Sequence, residues 1–516
     1  MKKQLLNYKS IFIGSVMVAA LVSCSLQQPN TNNDKEKVNI LLIVSEDNGP
    51  ELSCYGVKDV KTPVLDGLAS RGVRFENAFV TYSVCSPSRG TIFTGLYPHQ
   101  NGQIGLATHK YRMLPNIKTL PVFLKEAGYR TGCLGKIHVN PEPDIPFDYH
   151  PIKDANFGRK DLWRYDAFAD SFFHQSDKPF FLMVNYPDAH FPLKDQVEGM
   201  PAKPMTGEDV SGPLPFIGAD SYRLRAYTAQ YYNSIERLDE MVGKLLQRLD
   251  QSGKANNTLV IYLGDHGAQF SRGKCSSYDA GLKVPLIIYW PGKTSKGLVQ
   301  KELVSSIDLL PTILETAGIV VPENLPGKSW TNLMTGKAEK EEREFVYADN
   351  EGSAPMFYHP QRSIRSSRYK LIHNLVPEMD DPHFTFYANH IGHHFDGGTE
   401  EKEIEASSQQ IQDSYKTFKH PPEYELYDLE KDPYEFTNVA DNPAYQSTLE
   451  SLKKQLQQWQ KETTDPLSDK KILAKMTDEV NAINKKYPKQ EYTKDSTFQW
   501  QYPDYFEKYI KAHKGR

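Results

Sequence analysis

Residues 38–49 read VNILLIVSEDNG. Apart from Asn39, the first seven are apolar and rich in branched side chains, as expected of a strand buried on both faces. The run then breaks into Glu46, Asp47 and Gly49. A strand of this kind belongs inside a parallel sheet with helices on either side, and the two acids fall just past its carboxyl end.

The same grammar recurs along the chain. TPVLDGLASRG (62–72) is helical and stops at glycine, and TLPVFLKEAG (119–128) is a helix that precedes the strand-like YRTGCLGKIH (129–138). KPFFLMVNYPDAH (178–190) and NTLVIYLGDHG (257–267) are further apolar runs ending in polar residues. Between them, the stretch 222–253 repeats Ile235, Leu238, Val242, Leu245 and Leu249 at helical spacing. VPLIIYWPG (284–292) adds a strand and SSIDLLPTILETAG (305–318) a helix. The alternation predicts an α/β fold with a large, mostly parallel sheet flanked by helices.

Four pairs sit at the predicted strand ends: Glu46 and Asp47, Lys136 and His138, Asp188 and His190, Asp265 and His266. Taken singly, such residues are most often solvated loop charges or helix caps. Together they mark the edge of an open α/β sheet where ligand sites assemble. Glu46, Asp47 and Asp265 offer the hard oxygens that calcium or magnesium prefers, and no thiolate or histidine-rich spacing favours zinc.

The 516 residues carry 61 basic and 65 acidic side chains, for a formal charge of −4, with no long basic block. That balance disfavours nucleic acid as a partner and leaves room for an anionic substrate held by a few local cations. The chain starts MKKQLLNYKS, followed by an apolar run from Ile11 to Val22 that is short for a bilayer span and closes in LVSC. This resembles a bacterial lipobox: residues 1–23 would be a lipoprotein signal peptide, Cys24 the lipidated residue, and 24–37 a polar tether. The expectation is an exported, membrane-anchored lipoprotein facing the periplasm or the cell surface. A plain secretory signal or an uncleaved anchor is the alternative. The remaining cysteines, Cys54, Cys85, Cys133 and Cys275, allow two disulfides in an oxidising compartment, but their spacing suggests no compact framework.

Cys85 opens CSPSRGTIFTG (85–95). This stretch resembles the signature of the type I, formylglycine-dependent sulfatases, a Cys-x-Pro-x-Arg core continued by a helix and Thr-Gly. LGKIH, NYPDAH, GDHG and RGKCSSYDAG match that family's later motifs in order, and the resemblance runs from about residue 38 to past 460. It implies an alkaline-phosphatase-like catalytic domain over 38–344 and a smaller C-terminal α+β subdomain over 345–516. It also implies that a separate sulfatase-maturing enzyme oxidises Cys85 to formylglycine (3-oxoalanine). One oxygen of the aldehyde hydrate would attack sulfur to give a sulfo-enzyme, and the other would expel sulfate. Glu46, Asp47, Asp265 and His266 would hold Ca2+, with Mg2+ or Mn2+ as alternatives. Arg89 would orient the nucleophile, Lys136 and Lys274 would bind sulfate oxygens, His138 would assist the hydrate, and His190 would protonate the leaving atom, with the exchange of these two histidine roles as the alternative. Two positions depart from the usual pattern: Glu46 stands where aspartate is commoner, and Asp265-His266 replaces an Asp-Asn pair.

TGLYPHQNGQIGL (94–106), PFDY (146–149), PQRSIRSSRYKLIHNL (360–375), YELYDLEKDPYEFTNVADNP (424–443) and QQWQKETTDP (457–466) are similar to the heparan N-sulfatase branch of the family. The implied substrate is the sulfamate of terminal N-sulfoglucosamine in heparin or heparan sulfate fragments. An exo-acting O-sulfatase, a phosphohydrolase of the same superfamily and an inactive glycan-binding lipoprotein are the competing readings. From Phe345 onward, short polar–apolar alternations predict an exposed antiparallel sheet. HFTFYANHIGHHFDGG (383–398) reads as a loop making packing or substrate contacts rather than a second metal site. The aromatic, basic tail 498–516 has the character of a cover for a pocket or a partner.

Overall fold

The computed structural model describes residues 37–158, 160–337 and 343–513, so Cys24, the leader and nearly all of the tether lie outside the described residues. Eight strands form the large sheet: β1 (Asn39–Ser45), β2 (Val73–Phe79), β3 (Arg130–Leu134), β4 (Tyr149–Ile152), β5 (Phe180–Tyr186), β6 (Thr258–Gly264), β7 (Leu286–Tyr289) and β8 (Leu298–Ser305). Their order is β4-β3-β5-β1-β6-β7-β2-β8. All neighbours run parallel except β7, which is antiparallel to both β6 and β2.

β1 is buried along its whole length, and its two faces feed different cores. Leu41 and Ile43 pack with Ile235, Leu238, Val242, Leu245 and Leu249 of the long helix Tyr222–Gln251. Ile40, Leu42 and Val44 pack on the opposite face with Leu120 and Leu124 of one helix and Leu309, Leu310 and Ile313 of another. Each such buried aliphatic side chain stabilises the fold by about 2 kcal/mol relative to exposure. That two-sided burial is why the sequence of β1 shows no alternation.

Register levels the strand ends. Ser45 lies opposite both Tyr186 of β5 and Gly264 of β6, and Leu134 of β3 lies opposite Val184. The residues that follow therefore emerge side by side along one sheet edge.

The second sheet is antiparallel, β9 (Val346–Asn350), β10 (Gln361–Arg365), β11 (Tyr369–Asn374) and β12 (Tyr424–Asp428), in the order β12-β11-β10-β9. Its predicted exposure is wrong. Ile364, Leu371 and Leu426 on one face are covered by Leu449, Leu452, Leu456 and Trp459 of the helix Gln446–Glu462. On the other, Ile372 and Tyr427 meet Tyr278, Phe384, Tyr415 and Phe418. The polar strand residues are buried in ion pairs instead of facing water: Arg362 with Asp465 at 2.8 Å, Arg365 with Asp279 at 3.1 Å, Lys370 with Asp279 at 2.8 Å. The tail ends in the helix Tyr502–His513, and Trp500 and Tyr502 pack on Tyr111. Tyr502 Oη donates to the Gly102 and Arg112 carbonyls, and Trp500 Nε1 donates to the His109 carbonyl, so the tail covers the segment 102–112.

Candidate active site

The chain leaves β1 through Glu46 and turns at Asp47, whose φ is 52°. Backbone bonds continue the sheet past its formal end, Glu46 N to the Tyr186 carbonyl at 3.1 Å and Asp265 N to the Ser45 carbonyl at 2.9 Å. Asp47 N then donates to Asp265 Oδ1 at 3.0 Å, fixing one acid against the other. The helix Cys85–Thr94, buried at every residue, points its first residue at this edge. Its unpaired N–H groups favour negative charge there.

Cys85 Sγ lies 3.2 Å from His266 Nε2 and 4.0 Å from Asp47 Oδ1. The other ring nitrogen, His266 Nδ1, is at 2.9 Å from the Gly267 carbonyl; with a hydrogen assigned to that contact, Nε2 is the nitrogen left to face Cys85 and Asp47. One turn on from Cys85, Arg89 Nε and Nη2 reach Asp265 Oδ2 at 3.2 and 3.1 Å, Nη2 reaches Glu46 Oε1 at 3.2 Å, and Nη1 donates to Asn185 Oδ1 at 2.6 Å. Lys136 Nζ donates to Glu46 Oε2 at 2.6 Å, and Lys274 Nζ donates to both Asp47 oxygens at 3.0 and 2.8 Å.

Three buried carboxylates thus face three permanent cations. Burial resists ionisation of Asp265, but His266 and Arg89 outweigh it and hold the carboxyl at about 2. Burial pushes the His266 imidazole down, and Asp265 and Asp47 push it further up, to about 9. The Cys85 thiol is held below its ordinary value because Lys136, Lys274 and His266 overcome the burial that opposes its ionisation. Lys274 lies above its usual range, since Asp47 outweighs burial.

Asp47, Cys85, Asp265 and His266 bring one ligand atom each to within 4.8 Å of one another, and so do Glu46, Asp47, Cys85 and His190. These donors fit a divalent cation: two or three carboxylates, an imidazole nitrogen and the Cys85 position, with Glu46 Oε1 lacking a hydrogen bond of good geometry. Glu46 belongs to the second quartet and not the first, and it lies between Lys136 and Arg89.

Above the cluster lies a cavity of about 720 Å3 lined by Cys85, Lys136, His138, His190 and Lys274. His138 is half-buried, and both its ring nitrogens are shielded from solvent without a hydrogen-bond partner. Burial first, then Lys136 and Arg89, holds its pKa well below the ordinary value; burial, Lys274 and Lys136 do the same for His190. His190 Nδ1 is 2.6 Å from the Phe191 carbonyl, and Nε2 is 4.0 Å from Asp47 Oδ2.

Every predicted site residue in the described chain therefore reaches one location. Asp188 does not join them: its carboxylate turns to Arg237 of the long helix at 2.6 Å, with both side chains fully buried. The histidines of 383–398 separate. His383 pairs with Asp381 at 2.9 Å, His390 lies near Glu400, His393 is exposed, and His394 lines the cavity edge-on to His190. Cys54, Cys85, Cys133 and Cys275 are all free. Sequence reasoning missed Asn185, which carries Arg89, and Gln269, 3.3 Å from Lys274 Nζ. Asn185 had a signal, a polar residue inside an apolar strand. Phe157, stacked on His190, had none.

This fold is that of a sulfatase. The chain belongs to the sulfatase family, whose model matches residues 38–319, and it is a hydrolase of that class. A second model, described as the C-terminal part of N-sulphoglucosamine sulphohydrolase, matches residues 264–387 and 379–462. Human N-sulphoglucosamine sulphohydrolase is 34% identical over 464 residues, covering 83% of this chain and 91% of the relative. An ulvan-active sulfatase of Formosa agariphila is 32% identical over 450 residues, covering 85% and 82%. Among solved structures, one described as a complex with its substrate D-glucosamine-2-N,6-O-disulfate shares the fold with a TM-score of 0.61 and 19% identity, covering 83% of this chain and 99% of that one. Membership implies a formylglycine and a divalent metal, for which Cys85 and the buried cluster have the required chemistry.

Proposed function

We propose that the protein releases the N-sulfate of terminal N-sulfoglucosamine in heparin or heparan sulfate fragments. The observation that carries this reading is where the similarity to N-sulphoglucosamine sulphohydrolase extends. It continues through residues 264–462, the part that supplies Phe357, Phe386, His394 and Phe395 to the cavity wall. Walls of this kind set substrate choice, while the floor sets the reaction.

The roles are those that membership of the family implies, and the geometry supports them. Oxidised to formylglycine and hydrated, Cys85 supplies two hydroxyls on one carbon, one to attack sulfur and one to release sulfate. Asp47, Asp265, His266 and Glu46 would hold a divalent ion, calcium by preference for such oxygens, which would supply Lewis acidity to the nucleophile and positive charge against the sulfo group. Lys136 and Lys274 flank the cavity floor and bind sulfo oxygens as their charge grows. Arg89 keeps Asp265 and Glu46 in position. His190 turns Nε2 toward the site; once a bound sulfo anion offsets Lys136 and Lys274, the ring takes a second proton on Nε2 and passes it to the departing nitrogen, while His138, with both nitrogens unpaired, takes the proton of the nucleophile. Cys24 carries a lipid that ties the chain to a membrane, with the maturing enzyme acting before export.

The test is sulfate release from N-sulfoglucosamine, glucosamine 6-sulfate and an aryl phosphate, with mass spectrometry of the Cys85 peptide from the same batch. Cleavage of N-sulfoglucosamine alone by protein carrying the aldehyde is the expected result. Aldehyde-bearing protein that leaves that sugar intact and cleaves the 6-sulfate refutes the substrate and keeps the class.

A further inference from the structure

Phe157 and Lys160, three residues apart in the segment after β4, both act on His190. The Phe157 ring stacks flat against the imidazole, with centroids 3.5 Å apart and planes 2° from parallel. Lys160 is fully buried and has a left-handed backbone, φ 54°. Its Nζ donates to the carbonyls of Pro187 at 2.8 Å, Asp188 at 3.1 Å and His190 at 3.0 Å. An ammonium has three N–H groups, and three carbonyls on the loop that carries His190 use all of them.

This is a costly way to fill space, because an ammonium taken out of water must be repaid by its partners. What it achieves is convergence. Three carbonyl oxygens within the four-residue stretch 187–190, which repel one another, are drawn onto one point, and Lys160 N closes a turn on the Asn156 carbonyl at 2.9 Å. The Asp188 carboxylate is not available for this, since Arg237 holds it. The imidazole is thereby fixed through its own backbone oxygen by Lys160, through Nδ1 by the Phe191 carbonyl, and through its face by Phe157. Phe157 lines the cavity; Lys160 is not among the lining residues and has no route to substrate.

We infer that Lys160 is a positioning residue for His190, setting where Nε2 meets the leaving atom when the ring is protonated by substrate binding. The inference rests on the role given to His190 under the proposed function. A misplaced acid is felt only where the leaving group needs a proton. An amine or a sugar alkoxide needs one, and 4-nitrophenolate leaves without it.

Wild-type protein, Lys160→Met and Lys160→Arg are compared on N-sulfoglucosamine and 4-nitrophenyl sulfate, and the crystal structures of wild type and Lys160→Met are determined. For Lys160→Met, kcat on the sugar falls by at least about 30-fold while the aryl sulfate changes by less than about 3-fold, and Lys160→Arg recovers most of the loss. The imidazole of Lys160→Met is displaced by about 1 Å or more. Equal losses on both substrates, no loss on either, or an unmoved ring overturns the inference. If wild type cleaves glucosamine 6-sulfate and not the N-sulfate, the substrate reading fails, and the same comparison with that alkoxide leaving group still decides the role of Lys160.

Discussion

Arg89 reaches Asp265 with Nε and Nη2, Glu46 with Nη2, and Asn185 and the Lys136 carbonyl with Nη1, all without exposure to solvent. A lysine supplies the charge but not a planar fork with donors in these directions. Arg89→Lys is therefore expected to lower kcat/KM for sulfate release by about 100-fold and to cost about 2 kcal/mol in urea unfolding. Turnover within about 3-fold of wild type would sink the assignment. At this scale the sequence was readable wherever chemistry sits at a strand end: Glu46, Asp47, Asp265 and His266 could be placed from the apolar runs preceding them. The significance of Cys85 came from resemblance, because one thiol at a helix start is silent by itself. Phe157 and Lys160 were not legible, since they reach the site from a loop whose approach depends on tertiary packing, whereas His394 lies in a stretch whose sequence reads as making packing or substrate contacts.

The short helix Pro382–Ala388 begins at Asp381, whose Oδ1 accepts from both the backbone N and Nδ1 of His383. Burial presses the His383 imidazole down, but Asp381 outweighs it and raises the pKa to about 10. A folded-state pKa above the unfolded value of about 6.5 means that the contribution is complete below pH 6.5 and lost as pH rises toward 10. The stability difference between wild type and Asp381→Asn, measured by urea unfolding across this range, is expected to shrink by on the order of 3 kcal/mol from pH 6 to 10. A difference independent of pH would refute it. Elements were legible where one pattern dominated. The long helix Tyr222–Gln251 and the two-sided strand β1 read directly from spacing. The second sheet read correctly as antiparallel and wrongly as exposed, because alternation reports two chemically different faces and not what covers them. Arg362, Arg365 and Lys370 find carboxylates on other elements, and those partners are far away in sequence.

At the scale of the molecule, the large sheet provides the cavity floor and the C-terminal part much of its wall, while the tail grips the segment 102–112 that contributes Leu106 and His109 to the same cavity. The proposed anchor is tested on the whole chain: metabolic labelling with palmitate is expected to mark wild type and not Cys24→Ser, and a labelled serine variant would exclude lipidation at that residue. The burial of the helix Cys85–Thr94 also imposes an order of events in time. Cys85 is 2% exposed, at the inner end of a helix closed in by the sheet edge, so an oxidising enzyme cannot grasp the peptide around it once that edge has assembled. The formylglycine that family membership implies would therefore have to be made on the nascent or unfolded chain, with folding sealing the outcome. A molecule that folded before conversion would keep its thiol for its lifetime, and the share of aldehyde in a preparation would record a race run during synthesis.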